Sequence, residues 1–322
     1  MASGQNPRGW HTLAHMDTFR AGTLNLWNRF GPWEERLPAL QRSLAALAPD
    51  VLGMQEVLVL EDRSFDQLAL IGEGLGYHSA WGKSPERDAW PVGNAIFSRW
   101  PILRHEAYGL PNGGTDEHRS VVFAEIDAPF GKLPFFVTHL NWKLHHGHVR
   151  ALQVKAIAEL VTQLCPEHGF PPVVVGDFNA EPDSDEIRYM KGLTGLGGPC
   201  VYFADCFGAA AKPGRDGTTF ARRNPFALTC HEPNRRIDYV FVRGPDDRGR
   251  GEPIEADVCF DEPVDGARKA ERGVLVELFA RGTEPCAPQQ MIDFATAHRR
   301  TSRPGVQTRR ALKKSGGPAV AS

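Results

Sequence analysis

The chain has 322 residues, of which 41% are hydrophobic, and its formal net charge at pH 7 is −2. This length and composition suffice for one large core or two small ones. A chain with this net charge does not attract nucleic acid through overall positive charge. No apolar run reaches the ~18 residues of a transmembrane helix.

The hydrophobic pattern predicts an irregular mixture of strands and helices. In the first half we predict helices at 33–47 and about 65–75, and strands at 18–27, 51–56, 77–81, 92–98, 120–127 and 133–139. In the second half we predict helices at about 148–164 and 185–190, a loop-rich region at 192–236, and strands at 173–175, 237–243, 255–260 and 274–279. Neighbouring strands without an intervening helix disfavour a single parallel sheet and favour two mixed sheets packed face to face.

The chain ends differ in composition from the rest. Residues 1–16 are polar, and we expect a disordered extension there. From Arg281 onward there are eight Lys/Arg and two Asp/Glu, so we expect a basic disordered tail over 282–322 and one domain over 17–281. The six cysteines form no Cys-x-x-Cys pair, which disfavours zinc and is typical of reduced thiols in a cytoplasmic protein. We also expect a monomer.

Polar side chains stand where four apolar strands end. They are Asn25 in TLNLW, Glu56 in VLGMQEV, His139 in FFVTHLNW, and Asp177 with Asn179 in VVVGDFNAEP. Each alone has an ordinary structural explanation as a cap, turn or surface residue. Because the carboxyl ends of strands meet at one sheet edge, where α/β proteins bind ligands, the set together predicts one site.

The motifs TLN, QE, THLNW, GDFNAEP and RRIDYVFV resemble those of the endonuclease/exonuclease/phosphatase superfamily, which includes apurinic endonucleases, pancreatic-type DNases, sphingomyelinases and inositol phosphatases. The resemblance covers roughly residues 19–280. It implies an α/β (α+β) fold, a four-layer α/β/β/α sandwich of two mixed β-sheets flanked by helices. It also implies hydrolysis of phosphate esters with Mg²⁺ or Mn²⁺.

The resemblance assigns roles to the strand-end residues. Glu56 is the main metal ligand, and Asn25 beside it contacts the metal or the phosphate. Asp177 holds and activates the attacking water, and Asn179 orients that water or donates to phosphoryl oxygens. His139 donates to a non-bridging oxygen. Carboxylate oxygens suit a hard cation such as Mg²⁺, which keeps several waters.

Three further residues match segments near the site in relatives. Asp238 in RRIDYVFV corresponds to an aspartate that orients a C-terminal histidine. Asn94 and Arg119 are candidate substrate contacts, although Arg119 fits a structural ion pair equally well. The run HHGH at 145–148 favours a helix start over a metal cluster.

The chain departs from the family pattern before its last strand. Relatives carry Ser-Asp-His where this sequence has Ala270, Glu271 and Arg272. Glu271 retains a carboxylate that could reach a cation, whereas Arg272 can donate to a phosphate but cannot act as a base. Three readings stay open: a slow enzyme, a substitute histidine such as His231, or a binding domain without turnover.

The substrate class also stays open between nucleic acid and a small phosphate ester. The loop over 212–236 combines aromatic residues with six cations, Lys212, Arg215, Arg222, Arg223, Arg235 and Arg236. Phe220 and Phe226 beside them predict base stacking together with phosphate pairing. The alternative class of function is an inactive family member that binds anions or a protein partner.

Overall fold

The structure is a computed structural model that describes residues 18–85, 91–165, 169–260 and 273–280. The helices in this part of the chain are α1 (Trp33–Leu47), α2 (Gln67–Gly72), α3 (Gly147–Leu164), α4 (Asp185–Met190), α5 (Cys206–Ala210) and α6 (Pro225–Leu228). None of the helices within these ranges is both long and apolar enough to cross a membrane.

Twelve strands occur within the same ranges. They are β1 (Thr18–Asn25), β2 (Val51–Leu58), β3 (His78–Gly82), β4 (Val92–Ser98), β5 (Ile102–Leu110), β6 (Arg119–Ala128), β7 (Gly131–His139), β8 (Val173–Asp177), β9 (Ala204–Asp205), β10 (Asp238–Val242), β11 (Pro253–Cys259) and β12 (Gly273–Phe279). They form two six-stranded sheets, in the orders β11-β12-β1-β2-β4-β3 and β5-β6-β7-β8-β10-β9. Each sheet is mixed, because β1 and β2 are parallel in the first and β7 and β8 are parallel in the second.

The fold has four layers, and a hydrophobic cluster lies between each pair of neighbouring layers. The first cluster lies between the sheets and is built from inward-facing residues such as Val51, Val137 and Val175. A second cluster packs α3 and α4 on the outer face of the β5–β10 sheet, and a third packs α1 and α2 on the outer face of the other sheet. This α/β/β/α arrangement follows from two sheets that are each apolar on both faces.

The two sheets approach closely in the middle of the sandwich. A β-carbon built on Gly53 of β2 would lie 2.4 Å from Cγ2 of Val175 in β8 and 2.8 Å from Cγ2 of Val137 in β7. Only glycine fits at this crossing. The close contact fixes the separation of the sheets directly beneath the strand ends that carry the predicted site.

The predicted fold class is confirmed, and two differences have physical causes. Strand β5 was missed because its sequence ILRHEAYGL is mostly exposed and lies at a sheet edge, so it lacks apolar alternation. Helix α2 is shorter than expected, beginning after its N-cap Asp66 and ending at Gly72. The predicted extension over 1–16 and the basic tail over 282–322 lie outside the described residues.

Candidate active site

A cavity of about 610 Å³ opens where the predicted strands end. Its lining includes Asn25, Glu56, Asn94, Arg119, His139, Asp177, Asn179 and Asp238. All candidate residues within the described ranges therefore lie at one cavity. They come from both sheets, either from the strands or from the residues that follow them. Glu271 and Arg272, the other two candidates, and Ala270 beside them lie outside those ranges.

A β-bulge brings Glu56 into this cavity. Met54 pairs with Ala95 and Val57 with Gly93, so two residues of β2 lie opposite Asn94 of β4. Glu56 has a φ of 58°, a left-handed conformation that is uncommon outside glycine. Bulges redirect side chains next to active sites, and this one turns the Glu56 carboxylate toward the other acids.

Asn25 joins the carboxylates of the two sheets. Its Nδ2 donates to Oε1 of Glu56 and to Oδ2 of Asp177, over 3.1 Å in each case. Its Oδ1 accepts the backbone N–H of Trp27 at 2.8 Å, which fixes the orientation of the amide. The carboxylates of Glu56 and Asp177 therefore lie within reach of a single nitrogen.

Burial disfavours the charged forms of these acids. It raises the pKa of Glu56, with the nearby Asp177 adding to the rise and Asn25 opposing it. It also raises the pKa of Asp177, against the hydrogen bonds from Asn25 and from the backbone of Asn179 and the positive charge of Arg119. Two separate negative charges at this place are therefore disfavoured unless a proton or a cation offsets them.

His139 is held as a neutral imidazole. Burial, and next the positive charge of Arg119, lower its pKa well below the ordinary value. Nη1 of Arg119 lies 3.2 Å from Nδ1 of His139. Because a guanidinium only donates, Nδ1 is the acceptor and Nε2 carries the hydrogen. Nε2 lies 3.8 Å from Oδ2 of Asp177, so His139 presents a donor to the centre of the cavity.

Arg119 is itself positioned by Glu117. Nη2 of Arg119 lies 3.3 Å from Oε2 of Glu117, while Oε1 of Glu117 accepts the indole N–H of Trp142 at 3.1 Å. One carboxylate thus connects the guanidinium beside His139 with an aromatic ring at the cavity rim. Glu117 was missed because it lies in a polar loop segment, TDEHRS, without a recognisable motif.

Asn179 and Asn94 have structural contacts of their own. The backbone N–H of Asn179 donates to Oδ1 of Asp177 at 2.9 Å, and its Nδ2 donates to the carbonyl of Leu140 at 3.2 Å. Nδ2 of Asn94 donates to the carbonyl of Ser120 at 3.0 Å, which ties β4 of one sheet to β6 of the other. The role of each in contacting substrate stays a prediction.

Asp238 lies beside Asp177 across the β8–β10 pairing. Burial raises its pKa well above the ordinary value, the negative charge of Asp177 adds to the rise, and Thr219 and Arg235 oppose it. Within the described part of the chain, its Oδ1 is buried without a hydrogen-bond partner. An acceptor of this kind is costly to bury, which marks it as prepared for a donor or a cation.

The donor set fits a divalent cation of the magnesium type. Within the described ranges no three His, Cys, Asp or Glu side chains form a closed metal cluster. Mg²⁺, however, commonly uses one or two carboxylates and completes its shell with water and phosphate oxygens. Glu56, Asp177 and the unpartnered Oδ1 of Asp238 offer carboxylate oxygens that match that pattern. Asn25 does not add a ligand, because its Nδ2 faces the carboxylates and its Oδ1 accepts the N–H of Trp27.

Most cations of the 212–236 loop are engaged within the fold. Lys212 and Arg215 pair with Asp257, Arg236 forms two hydrogen bonds with Asp205, and Arg235 pairs with Glu232. These four cations therefore have carboxylate partners within the fold, and of the four Arg235 lines the cavity. His231, the suggested substitute base, is exposed. It is not among the described residues that line the cavity.

Aromatic residues that were not assigned to the site also line the cavity. They are Trp27, Phe30, Trp142, Phe220 and Phe226. Phe220 and Phe226 were expected to stack on bases, and both lie at the cavity. Trp27 and Trp142 stand two and three residues after Asn25 and His139, so their proximity to motif residues was the available signal.

Comparison with known sequences supports the same family. Protein angel of Drosophila melanogaster is 28% identical over 187 residues, which are 52% of this chain and 49% of that protein. Nocturnin of Homo sapiens is 24% identical over 170 residues, 49% of this chain and 38% of that protein. The chain thus spans about half or less of the length of these curated relatives.

Solved structures share the fold, at low sequence identity. The human nocturnin catalytic domain with bound sulfate anion matches 82% of this chain and 94% of its own, with a TM-score of 0.57 and 19% identity. D. rerio TDP2 complexed with single strand DNA product matches 80% and 98%, with a TM-score of 0.62 and 17% identity. A sequence model of the endonuclease/exonuclease/phosphatase family matches residues 22–256. The chain therefore belongs to the endonuclease/exonuclease/phosphatase family.

Proposed function

We propose that the protein hydrolyses phosphate esters with the aid of Mg²⁺ or Mn²⁺. The observation that carries this proposal is the pair of carboxylates, Glu56 and Asp177, held on one amide of Asn25 in the cavity. Glu56 would hold the cation, and Asn25, which presents its Nδ2 to both carboxylates, would position them rather than coordinate the ion. When bound, a divalent cation supplies positive charge against phosphoryl oxygens and lowers the pKa of water.

The side chains divide the remaining work. Asp177 accepts the proton of the attacking water, whose oxygen forms the new bond to phosphorus as the ester P–O bond breaks. The Nε2–H of neutral His139 and the guanidinium of Arg119 stabilise the negative charge that grows on the non-bridging oxygens. Asn179 orients the water, and Asp238 lies beside Asp177 across the β8–β10 pairing.

The leaving oxygen takes its proton from solvent in this proposal. Relatives would use the histidine of Ser-Asp-His, whereas Arg272 stands at the corresponding position here. Loss of a positioned acid or base typically lowers rate by about 10²–10⁴. We therefore propose a slow phosphodiesterase or phosphatase, for which substrates with good leaving groups react fastest.

The proposal is tested by assaying the purified protein with Mg²⁺ or Mn²⁺ on bis-p-nitrophenyl phosphate, plasmid DNA and phospholipid. Glu56→Gln and Asp177→Asn should each lower the rate by about 10²–10⁴. Glu61→Gln and Asp183→Asn remove exposed carboxylates outside the cavity and serve as matched controls. Equal rates in all four variants would contradict the proposal.

The second candidate function is a binding domain without turnover, favoured by the replacement of the family histidine. It predicts no hydrolysis of any of the three substrates by the parent protein. Hydrolysis that appears in the double variant E271D/R272H, and disappears again when Asp177→Asn is added, would show a decayed catalytic site.

A further inference from the structure

Three rings beside the reaction centre form a continuous surface, which we name the aromatic platform: Trp27, Phe30 and Phe226. The ring centroids of Trp27 and Phe30 are 5.7 Å apart, and those of Trp27 and Phe226 are 5.1 Å apart. Phe30 lines the cavity and is 50% exposed. An exposed aromatic ring in such a place is available to a ligand.

The loop that carries the platform has a demanding backbone. Trp27 and Asn28 have φ values of 52° and 50°, and Gly31 has a φ of 65°. A β-carbon on Gly31 would lie 2.8 Å from the Trp27 ring. Left-handed non-glycine residues persist only where the surrounding structure determines them, and they concentrate at functional sites.

Arg36 of α1 fixes this loop from below. Its guanidinium is buried and donates to the carbonyl oxygens of Leu26 and Phe30, which bracket the turn. The same guanidinium lies 5.6 Å from the ring centroids of both Trp27 and Trp33. Burial of the cation lowers its pKa to about 10, so it stays charged at neutral pH. The rings are therefore ordered before any ligand arrives.

The platform is joined directly to the catalytic amide. The backbone N–H of Trp27 donates to Oδ1 of Asn25, whose Nδ2 contacts Glu56 and Asp177. Asn28 and Asn224, whose side-chain oxygens accept the backbone N–H groups of Arg29 and Phe226, line the same cavity as the rings. A group that rests on the platform consequently lies beside the reacting phosphate and near amides able to contact polar ring edges.

We propose that the aromatic platform is a stacking subsite for a nucleobase, so that the substrate is a nucleoside phosphate ester. The assignment of the phosphate position rests on the function proposed above. The planes of Phe30 and Phe226 are tilted by 49° and 46° from that of Trp27, so a planar heterocycle would stack on one ring, the exposed Phe30, while the other two support it. Stacking on one such ring contributes about 1–3 kcal/mol per base. An acyl chain would instead require a long apolar groove, whereas this surface is three rings wide and adjoins amides and carboxylates.

The test compares two diesters that differ only in their bases. Thymidylyl-(3′→5′)-thymidine and its analogue with hydrogen in place of both thymines are incubated with the protein and Mn²⁺, and products are separated by chromatography. The readout is the ratio of kcat/KM for the base-bearing diester to kcat/KM for the base-free diester. The parent protein should prefer the base-bearing diester.

Variants at Phe30 separate stacking from simple apolar contact. Phe30→Ala and Phe30→Leu should both lower the ratio by about 5- to 100-fold, because leucine keeps bulk but lacks a π-face. Tyr202→Ala removes a ring that is 60% exposed and outside the cavity, so its ratio should stay within about twofold of the parent's. A parent without preference, or a Phe30→Leu variant with the parent's ratio, overturns the subsite.

Binding measurements keep this inference separate from turnover. Calorimetry with Mn²⁺ compares thymidine 5′-monophosphate with 1,2-dideoxyribose 5-phosphate on the parent and on Phe30→Ala. Tighter binding of the nucleotide by the parent that is lost in the variant supports the subsite even if neither diester is hydrolysed, in which case the proposed function alone fails. Equal affinities on the parent overturn the subsite.

Discussion

The side-chain amide of Asn25, in one sheet, donates to Oδ2 of Asp177, in the other, over 3.1 Å. The second hydrogen of the same nitrogen reaches Glu56. The two sheets are thus connected at the candidate active site by a neutral group that donates to two buried acids. Under the proposed function, this arrangement would fix the distance between two carboxylates that face a bound cation.

Replacement of Asn25 by alanine should therefore damage chemistry more than folding. We expect kcat with Mg²⁺ on bis-p-nitrophenyl phosphate to fall by about 10²–10³, which is typical for loss of one preorganised donor. The cost in free energy of unfolding should be about 1–3 kcal/mol, because Trp27 also loses the acceptor for its N–H.

A suitable control is Gln41→Ala on α1, which removes a side-chain amide that donates to the carbonyl of Leu70 away from the cavity. It should retain the parent's kcat. If Asn25→Ala lost only stability and kept its kcat, the amide would be a structural tie and no more.

Glu117 is expected to act through Arg119. Glu117→Ala removes the carboxylate that holds both the guanidinium and the indole of Trp142, so Arg119 loses its fixed position beside His139. A hydrogen bond to a charged group is worth about 1.5–3 kcal/mol, which predicts a loss of about 10- to 100-fold in kcat. Steady-state kinetics should show this loss in kcat rather than in KM alone.

The conservative variant separates charge from geometry. Glu117→Gln keeps an oxygen for the Trp142 indole but lacks the charge that attracts Arg119, so its kcat should lie between those of the parent and Glu117→Ala. Glu106→Ala removes another carboxylate that accepts a side-chain hydrogen bond, from Tyr108, on an exposed strand, and it should leave kcat unchanged. If the parent, Glu117→Ala and Glu117→Gln had the same kcat, Glu117 would have no role in the site.

The strand-end motifs predicted the site better than they predicted its geometry. Asn25, Glu56, His139 and Asp177 meet as expected, because parallel neighbours such as β7 and β8 must end at the same edge. The bulge that turns Glu56 inward was not predictable, since it depends on the register between β2 and β4. Register is a long-range property that local periodicity does not contain.

Residues that act through partners distant in sequence were missed for the same reason. Glu117 and Trp142 are 25 positions apart, and neither lies in a strand that the hydrophobic pattern marks. Arg36 follows two glutamates in the first turn of α1, where an exposed charge would be expected, yet it is buried beneath the aromatic platform. Its partners are backbone carbonyls, which leave no signature in a sequence.

Asp238 should be a source of instability that depends on pH. Its folded-state pKa is raised by burial and by Asp177, so between the ordinary value near ~4 and the raised value the folded state binds more protons than the unfolded state. Stability contributed by the protonated form is thus lost as pH rises through this window. The Asp238→Asn variant should not lose stability in this way, because its side-chain amide does not deprotonate.

In the presence of a chelator we expect Asp238→Asn to raise the free energy of unfolding by about 1–2 kcal/mol at pH 8 and by less at pH 5. Urea unfolding at the two pH values measures the difference. Asp62→Asn is the control, because hydrogen bonds from Ser64 lower the pKa of that exposed carboxyl and give the opposite sign. A destabilisation by Asp238→Asn that is equal at both pH values would contradict the assignment.

Divalent cations should stabilise the folded protein through Glu56. A ligand that binds only the folded state at about 100 times its Kd adds about 2.7 kcal/mol, so Mg²⁺ should raise the Tm of the parent in the absence of substrate. Glu56→Gln lacks the charged ligand and should lose most of this increase, whereas Glu61→Gln, which changes a carboxylate paired with Lys83 outside the cavity, should keep it. The measurement is a thermal melt of each protein with chelator and with Mg²⁺. Because the carboxylates of Glu56 and Asp177 repel each other more strongly once both are charged, the Mg²⁺-dependent increase should also be larger in the parent than in Asp177→Asn. An increase of the same size in all of these variants would place the cation elsewhere in the chain.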